Sequence, residues 1–312
     1  MSTYVIAIGG NALEENKDNL GSILHKISDC IVSLIKRGDK VVLVHGNGPQ
    51  IGKIVIQNHC AHGIIEESTI DECGAMTQAM IGYTLQKELG NSFRNQGIDK
   101  EIVTVLTQVV VDESEMINAK PTKPIGPFFS EEEAARLMEE ENAVYAEDAG
   151  RGYRRMVRSP KPKRIEEIGV IKSLLANGNI VIAGGGGGIP VIEKNNELIG
   201  VDAVIDKDYT AKLLAEEIGA DVLILLTGVE YVSINYNKPE QKNLEQISLK
   251  ELDKYIKEGQ FSVGSMLPKV DACRLFVQSG INKIAVIGTL DKLQEIILGK
   301  SGTIICKNKV IG

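Results

Sequence analysis

Residues 180–208 read IVIAGGGGGIPVIEKNNELIGVDAVIDKD, and this stretch decides the fold. It begins with a short apolar run, Ile180 to Ala183, which ends in five consecutive glycines, Gly184 to Gly188. An apolar run that stops at glycine is typical of a buried strand in an α/β sheet. Ligands of open α/β sheets bind beyond the carboxyl ends of the strands, and glycine lets the backbone approach them closely. The stretch therefore predicts a strand that leads directly into a binding site.

The far end of this stretch places Lys207 between Asp206 and Asp208, where a helix is predicted to begin. Backbone N–H groups at a helix start favour negative charge, and a lysine there adds to the attraction. These residues predict a site for an anionic substrate. A glycine-rich loop followed by a solvated helix cap is the alternative, and these residues alone leave it open.

The composition is that of a soluble globular protein and disfavours two classes of partner. A chain of 312 residues can form one large or two medium domains with a substantial core. The formal net charge of −7 disfavours binding to nucleic acid or to an anionic membrane surface. Apolar runs stay below the about 18 to 20 residues that a membrane span needs. We therefore expect no nucleic-acid partner and no membrane partner.

The N-terminus and the cysteines predict a cytoplasmic protein. The first residues, MSTYVIAIGG, enter a strand without a basic segment, so we expect no signal peptide. The five cysteines are scattered and lack a C-x-x-C pair, which indicates reduced thiols. His59 and His62 flank Cys60, but adjacent residues at a helix end are poor ligands for one metal ion. We expect no metal ion held by protein side chains.

Strands alternate with helices along most of the chain, which predicts a mainly parallel sheet covered on both faces. Apolar runs predict strands at residues 4–8, 40–44, 102–106, 180–183, 221–226, 284–287 and 303–306. Helical spacing predicts helices at about residues 20–35, 71–89, 165–177 and 210–218, and another that ends at Gly280. The helix at about residues 71–89 is predicted to stop at Gly90.

The alternation breaks between about residues 112 and 165, where proline and charged residues become frequent. This change predicts an inserted flap, with a capping box at Ser130 to Glu133 opening a short helix. Residues 150–164 contain seven basic residues and no acid. With one tyrosine among them on an acidic protein, they favour a lid that faces an anion over a nucleic-acid patch.

Glycine turns follow several predicted strands, at residues 9–10, 46–48, 184–188, 228 and 264. Such turns should meet at one edge of the sheet and bind a phosphorylated ligand through backbone N–H groups. The common nucleotide motifs do not fit. Gln294 stands where a P-loop that ends at residues 299–301 would need glycine, and the glycine after Gly46 and Gly48 comes at 52 rather than 51.

Three lysines occupy loops in which a surface role makes little sense: Lys123 between prolines, Lys207 between aspartates, and Lys269 after Met-Leu-Pro. Phosphoryl transfer needs two oxygens held in line and positive charge around the transferring group. Lysines supply that charge, and backbone amides supply hydrogen bonds. Together with the glycine turns, they predict a phosphoryl-transfer site.

Eight short motifs, taken in chain order, resemble the successive motifs of the carbamate kinases, a family within the amino acid kinase superfamily. They are AIGGNA (7–12), HGNGPQ (45–50), PTKPIG (121–126), EDAGRG (147–152), SPKP (159–162), GGGGIP (185–190), VDAVIDKD (201–208) and GSMLPK (264–269). The resemblance covers essentially the whole chain. The insertion from Pro121 to Lys163 is what separates this family from relatives that act on acetylglutamate, aspartate or UMP.

The resemblance implies an α/β fold, a three-layer α/β/α sandwich with a mainly parallel central sheet and a small protruding subdomain. The chain would form a single amino acid kinase domain over residues 1–312, with the flap at about 112–165. The N-lobe, about residues 1–205, would bind carbamate or carbamoyl phosphate, and the C-lobe, about 206–312, would bind the nucleotide.

The activity implied by the resemblance is the reversible reaction of ATP and carbamate to ADP and carbamoyl phosphate. Mg²⁺ would enter with ATP or ADP, and the protein would be a homodimer. The reaction would make ATP from carbamoyl phosphate formed during breakdown of arginine, citrulline or purine derivatives.

The resemblance also assigns site residues. Catalytic roles would fall to Lys123, Lys207 and Lys269, with Asp206 orienting the last two. Substrate would bind at Gly9, Gly10, Asn11, Gly46, Asn47, Gly48, Gly186 and Gly187. The nucleotide would bind at Lys207, Asp208, Thr227, Gly228, Tyr236, Met266 and Lys269. Two alternatives stay open: a kinase of the same superfamily with another substrate, and a nucleotide-binding module without catalysis.

Overall fold

The computed structural model describes residues 1–10, 17–61, 63–141, 143–148 and 150–308. Its strands are β1 Thr3–Ile8, β2 Lys40–His45, β3 Ile102–Thr104, β4 Gln108–Val111, β5 Lys123–Phe129, β6 Val144–Glu147, β7 Tyr153–Val157, β8 Pro162–Ile165, β9 Ile180–Ile182, β10 Ile189–Lys194, β11 Glu197–Gly200, β12 Val222–Thr227, β13 Val232–Ile234, β14 Lys242–Leu244, β15 Gln246–Ser248, β16 Ile284–Thr289 and β17 Thr303–Cys306. Its α-helices are α1 Lys17–Lys36, α2 Gly48–Ala61, α3 Ile70–Asn95, α4 Glu113–Asn118, α5 Glu131–Glu141, α6 Ile168–Ala176, α7 Lys207–Glu217, α8 Leu249–Lys257, α9 Met266–Gln278 and α10 Leu293–Ile297.

An eight-stranded sheet forms the middle layer, in the order β15-β17-β16-β12-β1-β2-β9-β3. The six strands from β16 to β3 are parallel. The strand β17 pairs antiparallel with β16, and β15 runs parallel to β17 at the edge. The predicted mainly parallel sheet is confirmed.

Each face of this sheet buries its own core, because successive side chains of a strand point to opposite faces. In β1, Val5 and Ala7 pack with α6, α7 and α9, whereas Ile6 and Ile8 pack with α1, α3 and α10. Burial of an aliphatic side chain contributes about 1.5–3 kcal/mol, so these two cores hold the helices against the sheet. The result is the predicted three-layer α/β/α sandwich.

The helix α3 is longer than its sequence predicts. It passes through Gly90 and ends at Asn95, and the glycine that follows its end in a left-handed conformation is Gly97. Phe93, only 1% exposed, joins Leu89 in the core below the sheet. Glycine inside a helix costs about 1 kcal/mol, less than burial of Phe93 contributes, so the predicted stop at Gly90 is wrong.

The inserted segment forms a small sheet of its own, with the antiparallel order β5-β7-β6. The helix α5 covers it, and Ala134, Leu137 and Tyr145 form its core. The predicted capping box is present, since the Ser130 backbone N–H donates to Glu133 and the Glu133 N–H donates to the Ser130 hydroxyl. The strand β8 at the end of the segment instead pairs with β4, in a second sheet of order β11-β10-β4-β8.

Among the helices in the described part of the chain, none is both long and apolar enough to cross a bilayer.

Candidate active site

Four of the five predicted glycine turns meet at one edge of the central sheet, whereas Gly264 lies between α8 and α9 and follows no strand. The strands β12, β1, β2 and β9 are consecutive neighbours, and their carboxyl ends lead into Gly228, Gly9–Gly10, Gly46–Gly48 and Gly184–Gly188. Parallel strands present these ends on the same side. The turns therefore surround one region of the molecule, where side chains from the later helices also arrive.

The loops after β1 and β2 approach each other so closely that glycine is required. A methyl group in place of the Gly46 hydrogen would lie 2.7 Å from the backbone N of Gly10. A methyl group on Gly10 would lie 3.2 Å from the backbone N atoms of Asn47 and Gly48. Backbone amides of both loops thus lie within a few ångströms of one another.

The glycine tract after β9 packs against the loop after β2. Gly186 and Gly187 have φ values of +66° and +96°, in the left-handed region that favours glycine. A methyl group on Gly186 would collide with the side-chain amide of Asn47, and one on Gly187 would collide with the carbonyl of Ile205. The tract is therefore packed against both the β2 loop and the segment that leads to α7.

A buried carboxylate holds two of the predicted lysines. Asp208 is 1% exposed and accepts hydrogen bonds from Lys207 Nζ at 2.7 Å and Lys269 Nζ at 2.9 Å. Burial alone would raise the pKa of Asp208, but the two ammonium groups hold it well below its usual range. Burial likewise opposes the charge of Lys269, yet Asp208 raises its pKa. The cluster keeps two positive charges and one negative charge, a net charge of about +1.

Asp206 has a different role from the one predicted. It caps α7 by accepting a hydrogen bond from the backbone N–H of Asp208 at 3.0 Å, and it pairs with Lys123 Nζ at 2.8 Å. The contact with Lys207 and Lys269 belongs to Asp208, so the prediction that Asp206 orients them is wrong. The reason is helical geometry: α7 begins at Lys207, which leaves Asp206 outside the first turn and turns Asp208 inward.

A cavity of about 690 Å³ opens beside this cluster. Six predicted residues line it: Gly9, Gly10, Lys207, Thr227, Gly228 and Lys269. Its wall also contains residues that the sequence does not single out, among them Ser22, Lys26, Thr289 and Asp291. Thr289 ends β16, next to β12, so the strand-end pattern could have identified it. Lys26 and Asp291 form an ion pair at 2.5 Å.

Some predicted site residues are not brought to this cavity. Tyr236 is 58% exposed in the turn between β13 and β14, and Met266 packs against the core at the start of α9. Neither is among the described residues that line the cavity. Asn11 lies outside the described residues, as does His62.

The basic residues of the flap segment have partners within the protein. Arg154 pairs with Asp148 at 3.1 Å, and Arg155 with Asp202 at 3.5 Å. Further pairs are Arg151–Asp148, Lys163–Asp112, Arg164–Glu166 and Arg164–Glu193. Five of the seven basic residues in the run thus pair with acids, and the anion-facing lid stays a prediction. Lys123, which precedes the run, pairs with Asp206 at the start of α7.

His45 ends β2 beneath the site and is fully buried. Its Nδ1 lies 3.1 Å from the carbonyl of Gly46, so this nitrogen carries a proton and donates it. Burial, with a smaller contribution from Lys207, lowers the pKa of His45 to about 4. His45 therefore stays neutral near pH 7 and supports the Gly46 loop from below.

Comparison with known proteins places the chain in a family. The model of the Amino acid kinase family matches residues 2–288. The carbamate kinase of Clostridium perfringens is 47% identical over 313 residues, covering 97% of this chain and 99% of its own. Carbamate kinase 3 of Staphylococcus aureus is 46% identical, covering 98% and 99%.

Solved structures agree with the sequence comparison. The structure of carbamate kinase from Giardia lamblia bound to AMP-PNP superposes with a TM-score of 0.89 and 41% identity, covering 98% of this chain and 99% of that one. Both comparisons extend over almost the full length of each chain. The chain therefore belongs to the amino acid kinase family and, within it, to the carbamate kinases.

Proposed function

We propose that this protein is an active carbamate kinase, which transfers a phosphoryl group reversibly between ATP and carbamate to give ADP and carbamoyl phosphate. The observation that carries the proposal is that Asp208 holds Lys207 and Lys269 side by side, at the cavity that Gly9, Gly10 and Gly228 line. Two fixed ammonium groups stabilise the charge that develops on a transferring phosphoryl group. The full-length similarity to carbamate kinases identifies the acceptor.

The glycine loops would bind the carbamoyl side of the reaction. Backbone N–H groups of Gly10, Asn47 and Gly48 lie together without side chains between them. Such groups bind an anion without the entropy cost of ordering long side chains. We propose that these residues, with Gly9, Gly186 and Gly187, hold carbamate or carbamoyl phosphate.

The nucleotide would lie on the side of Thr227 and Gly228. Both line the cavity with Lys207 and Lys269, and both follow β12. We propose that residues 1–205 form the carbamoyl lobe and residues 206–312 the nucleotide lobe, with the flap at 112–165. Lys123 connects the flap to this boundary through its ion pair with Asp206, and we assign it contact with the substrate anion.

Mg²⁺ would enter with the nucleotide. Among the described residues, no group of three or more His, Cys, Asp or Glu side chains is placed to hold an ion. Mg²⁺ commonly keeps several waters and binds through substrate phosphates with one or two carboxylates. We propose that ATP or ADP phosphates supply most of its ligands, so that the ion neutralises charge on the nucleotide.

A coupled assay tests this function. Purified protein with Mg²⁺, ADP and carbamoyl phosphate should form ATP, and the absence of turnover would contradict the proposal. A panel of carbamate, acetylglutamate, aspartate and UMP with ATP separates carbamate kinase from other kinases of the superfamily. Binding of ADP by calorimetry without consumption of carbamoyl phosphate would instead indicate a module that has lost catalysis.

A second copy of the chain is the partner that the surface supports best. Met76, Met80 and Tyr83 are exposed at helical spacing on one face of α3, and Leu106 is exposed beside them. Tyr83 and Leu106 also line a groove of about 800 Å³ along the edge strand β3. A contiguous exposed apolar face marks an interface, and a symmetric dimer would cover it. We propose a homodimer through this face.

Sedimentation velocity tests the interface. The wild type should be a dimer, and Met80→Glu should be a monomer because it places a charge in the apolar contact. Ile281→Glu is the control, since Ile281 is also apolar and exposed but lies after α9. A wild-type monomer, or a dimer that tolerates Met80→Glu, would contradict this face.

We also propose a cytoplasmic location, and a metabolic role in ATP formation from carbamoyl phosphate released by breakdown of arginine, citrulline or purine derivatives. All five cysteines are free thiols, which fits a reducing compartment. Comparing growth of a deletion strain on arginine with growth on glucose tests the metabolic role, since only the first should be impaired.

A further inference from the structure

Two polar residues lie fully buried on α3, immediately behind the glycine loops. Thr77 and Gln78 are 0% and 1% exposed, whereas the other buried residues of this helix are apolar or small. A buried polar group costs free energy unless it is hydrogen-bonded. The hydrogen-bond partners of Thr77 and Gln78 should therefore explain why both polar residues are buried on an otherwise apolar helix face.

Thr77 contacts the side chain of Asn47. The Asn47 Nδ2 donates to the Thr77 hydroxyl at 2.9 Å, and that hydroxyl donates to the carbonyl of Gly74 at 2.7 Å. The Asn47 amide in turn lies directly against Gly186, where a methyl group would collide with it. One hydroxyl on α3 thus fixes the side chain that separates two of the proposed substrate loops.

The side-chain amide of Gln78 binds the glycine tract and the neighbouring residue Thr107. Its Nε2 donates to the carbonyls of Thr107 at 3.1 Å and Gly185 at 3.0 Å, and its Oε1 accepts from the Thr107 N–H at 2.8 Å. The Thr107 hydroxyl accepts from the N–H of Gly184 at 2.9 Å. The glycine tract has no side chains with which to hold itself, so these bonds fix its path.

We propose that Thr77 and Gln78 are positioning residues that set the affinity for the carbamoyl substrate. The inference deepens the proposed function and rests on it. Thr77 fixes the β2 loop through Asn47, and Gln78 fixes the tract at Gly185. Because they act on the loops of the carbamoyl side and do not contact Lys207, Asp208 or Lys269, their loss should affect one substrate only.

The test compares Thr77→Val with Thr84→Val in the full-length protein. Thr77→Val removes the hydroxyl and keeps the shape. Thr84→Val is the matched control, because Thr84 lies on the same helix and its hydroxyl donates to the carbonyl of Met80, within that helix, at 3.0 Å. Thr77→Ser keeps the hydroxyl and should behave like the wild type.

Thr77→Val should raise the KM for carbamoyl phosphate about tenfold while the KM for ADP stays within about twofold. Equal effects on both substrates, or no effect, would overturn the inference. If Thr77→Val does not fold, Thr77→Ala removes the same oxygen without placing a methyl group against Asn47. A wild type without turnover would contradict the proposed function. The positioning role is then tested by a second measurement that does not depend on activity.

That measurement is amide hydrogen exchange followed by mass spectrometry. Peptides that cover residues 45–51 and 183–190 should exchange faster in Thr77→Val than in Thr84→Val, because the loops lose their support. Gln78→Met should have the same effect, strongest in residues 183–190. Unchanged exchange in these peptides would overturn the positioning role whether or not the protein is active.

Discussion

The two halves of the site are built in opposite ways. The half proposed to bind the carbamoyl substrate consists of glycines, Gly10, Gly46 and Gly186 among them, which let the backbone segments approach each other closely because they have no side chain. The half that would meet the transferring phosphoryl group consists of charged side chains, Lys207 and Lys269, held by one buried carboxylate. The first is fixed from behind by neighbouring residues, and the second fixes itself by ion pairs. Each half should therefore fail differently when it is altered.

The largest effect should come from Asp208→Asn. Removing one partner from a buried ion cluster leaves charges uncompensated and typically costs about 3–5 kcal/mol. We expect the free energy of unfolding, measured with urea, to fall by about that amount, and turnover to fall as well. Asp206→Asn is the matched change outside the cluster. Equal losses in the two variants would contradict the assignment of the orienting role to Asp208.

The next largest effect should be a pH dependence of folding stability that arises from His45, which supports the glycine half of the site. The pKa of His45 is lowered to about 4 in the folded protein from an ordinary value of 6.5. The unfolded chain therefore takes up this proton first, and stability is lost as the pH falls from about 6.5 to about 4. The loss can reach about 3 kcal/mol from this residue.

His45→Gln should remove that part of the pH dependence, as seen in urea unfolding at pH 7 and pH 4.5. His25→Gln is the control, because His25 lies exposed on α1. Stability that depends on pH equally in both variants would show that His45 does not supply the effect.

Lys207 and Lys269 should determine the rate of turnover. Lys207→Ala or Lys269→Ala should lower turnover by at least about a hundredfold, the scale of losing one positioned charge donor. Both variants should still fold, since Asp208 keeps one lysine. Steady-state ATP formation and urea unfolding together check this expectation, and a fast variant would remove that lysine from its proposed role.

The smallest effect should come from the cap of α7. Asp206→Asn keeps an N-cap acceptor but loses the ion pair with Lys123, which is about one-third exposed. We expect at most about 1 kcal/mol of stability to be lost, because partly exposed ion pairs contribute little. Thermal unfolding measures it. A loss as large as that of Asp208→Asn would contradict the separation of the two aspartates.

The glycine half could be predicted from the sequence because its signals are local. An apolar run that ends in glycine marks a strand end, and parallel strands bring such ends together, as Gly10, Gly46 and Gly186 show. The sequence could not predict which aspartate, Asp206 or Asp208, contacts the two lysines. One residue turns a helix by about 100°, so the choice depends on the first residue of α7.

Other features depend on contacts between distant segments. Thr77 and Gln78 look like ordinary polar residues of an amphipathic helix until α3 is placed behind residues 47 and 185. The helix passes Gly90 because Phe93 finds a place in the core. The arginines at 154 and 155 find acids elsewhere in the fold, which a count of basic residues does not indicate.

ATP formation from ADP and carbamoyl phosphate with Mg²⁺, measured for the wild type, Lys269→Ala and Lys254→Ala, tests the central claim most directly. Lys254 is the matched control, an exposed lysine on α8 paired with Glu258. We predict equal turnover for the wild type and Lys254→Ala, and at least about a hundredfold less for Lys269→Ala. A wild type without turnover, or a Lys269→Ala protein as fast as the control, would contradict the account.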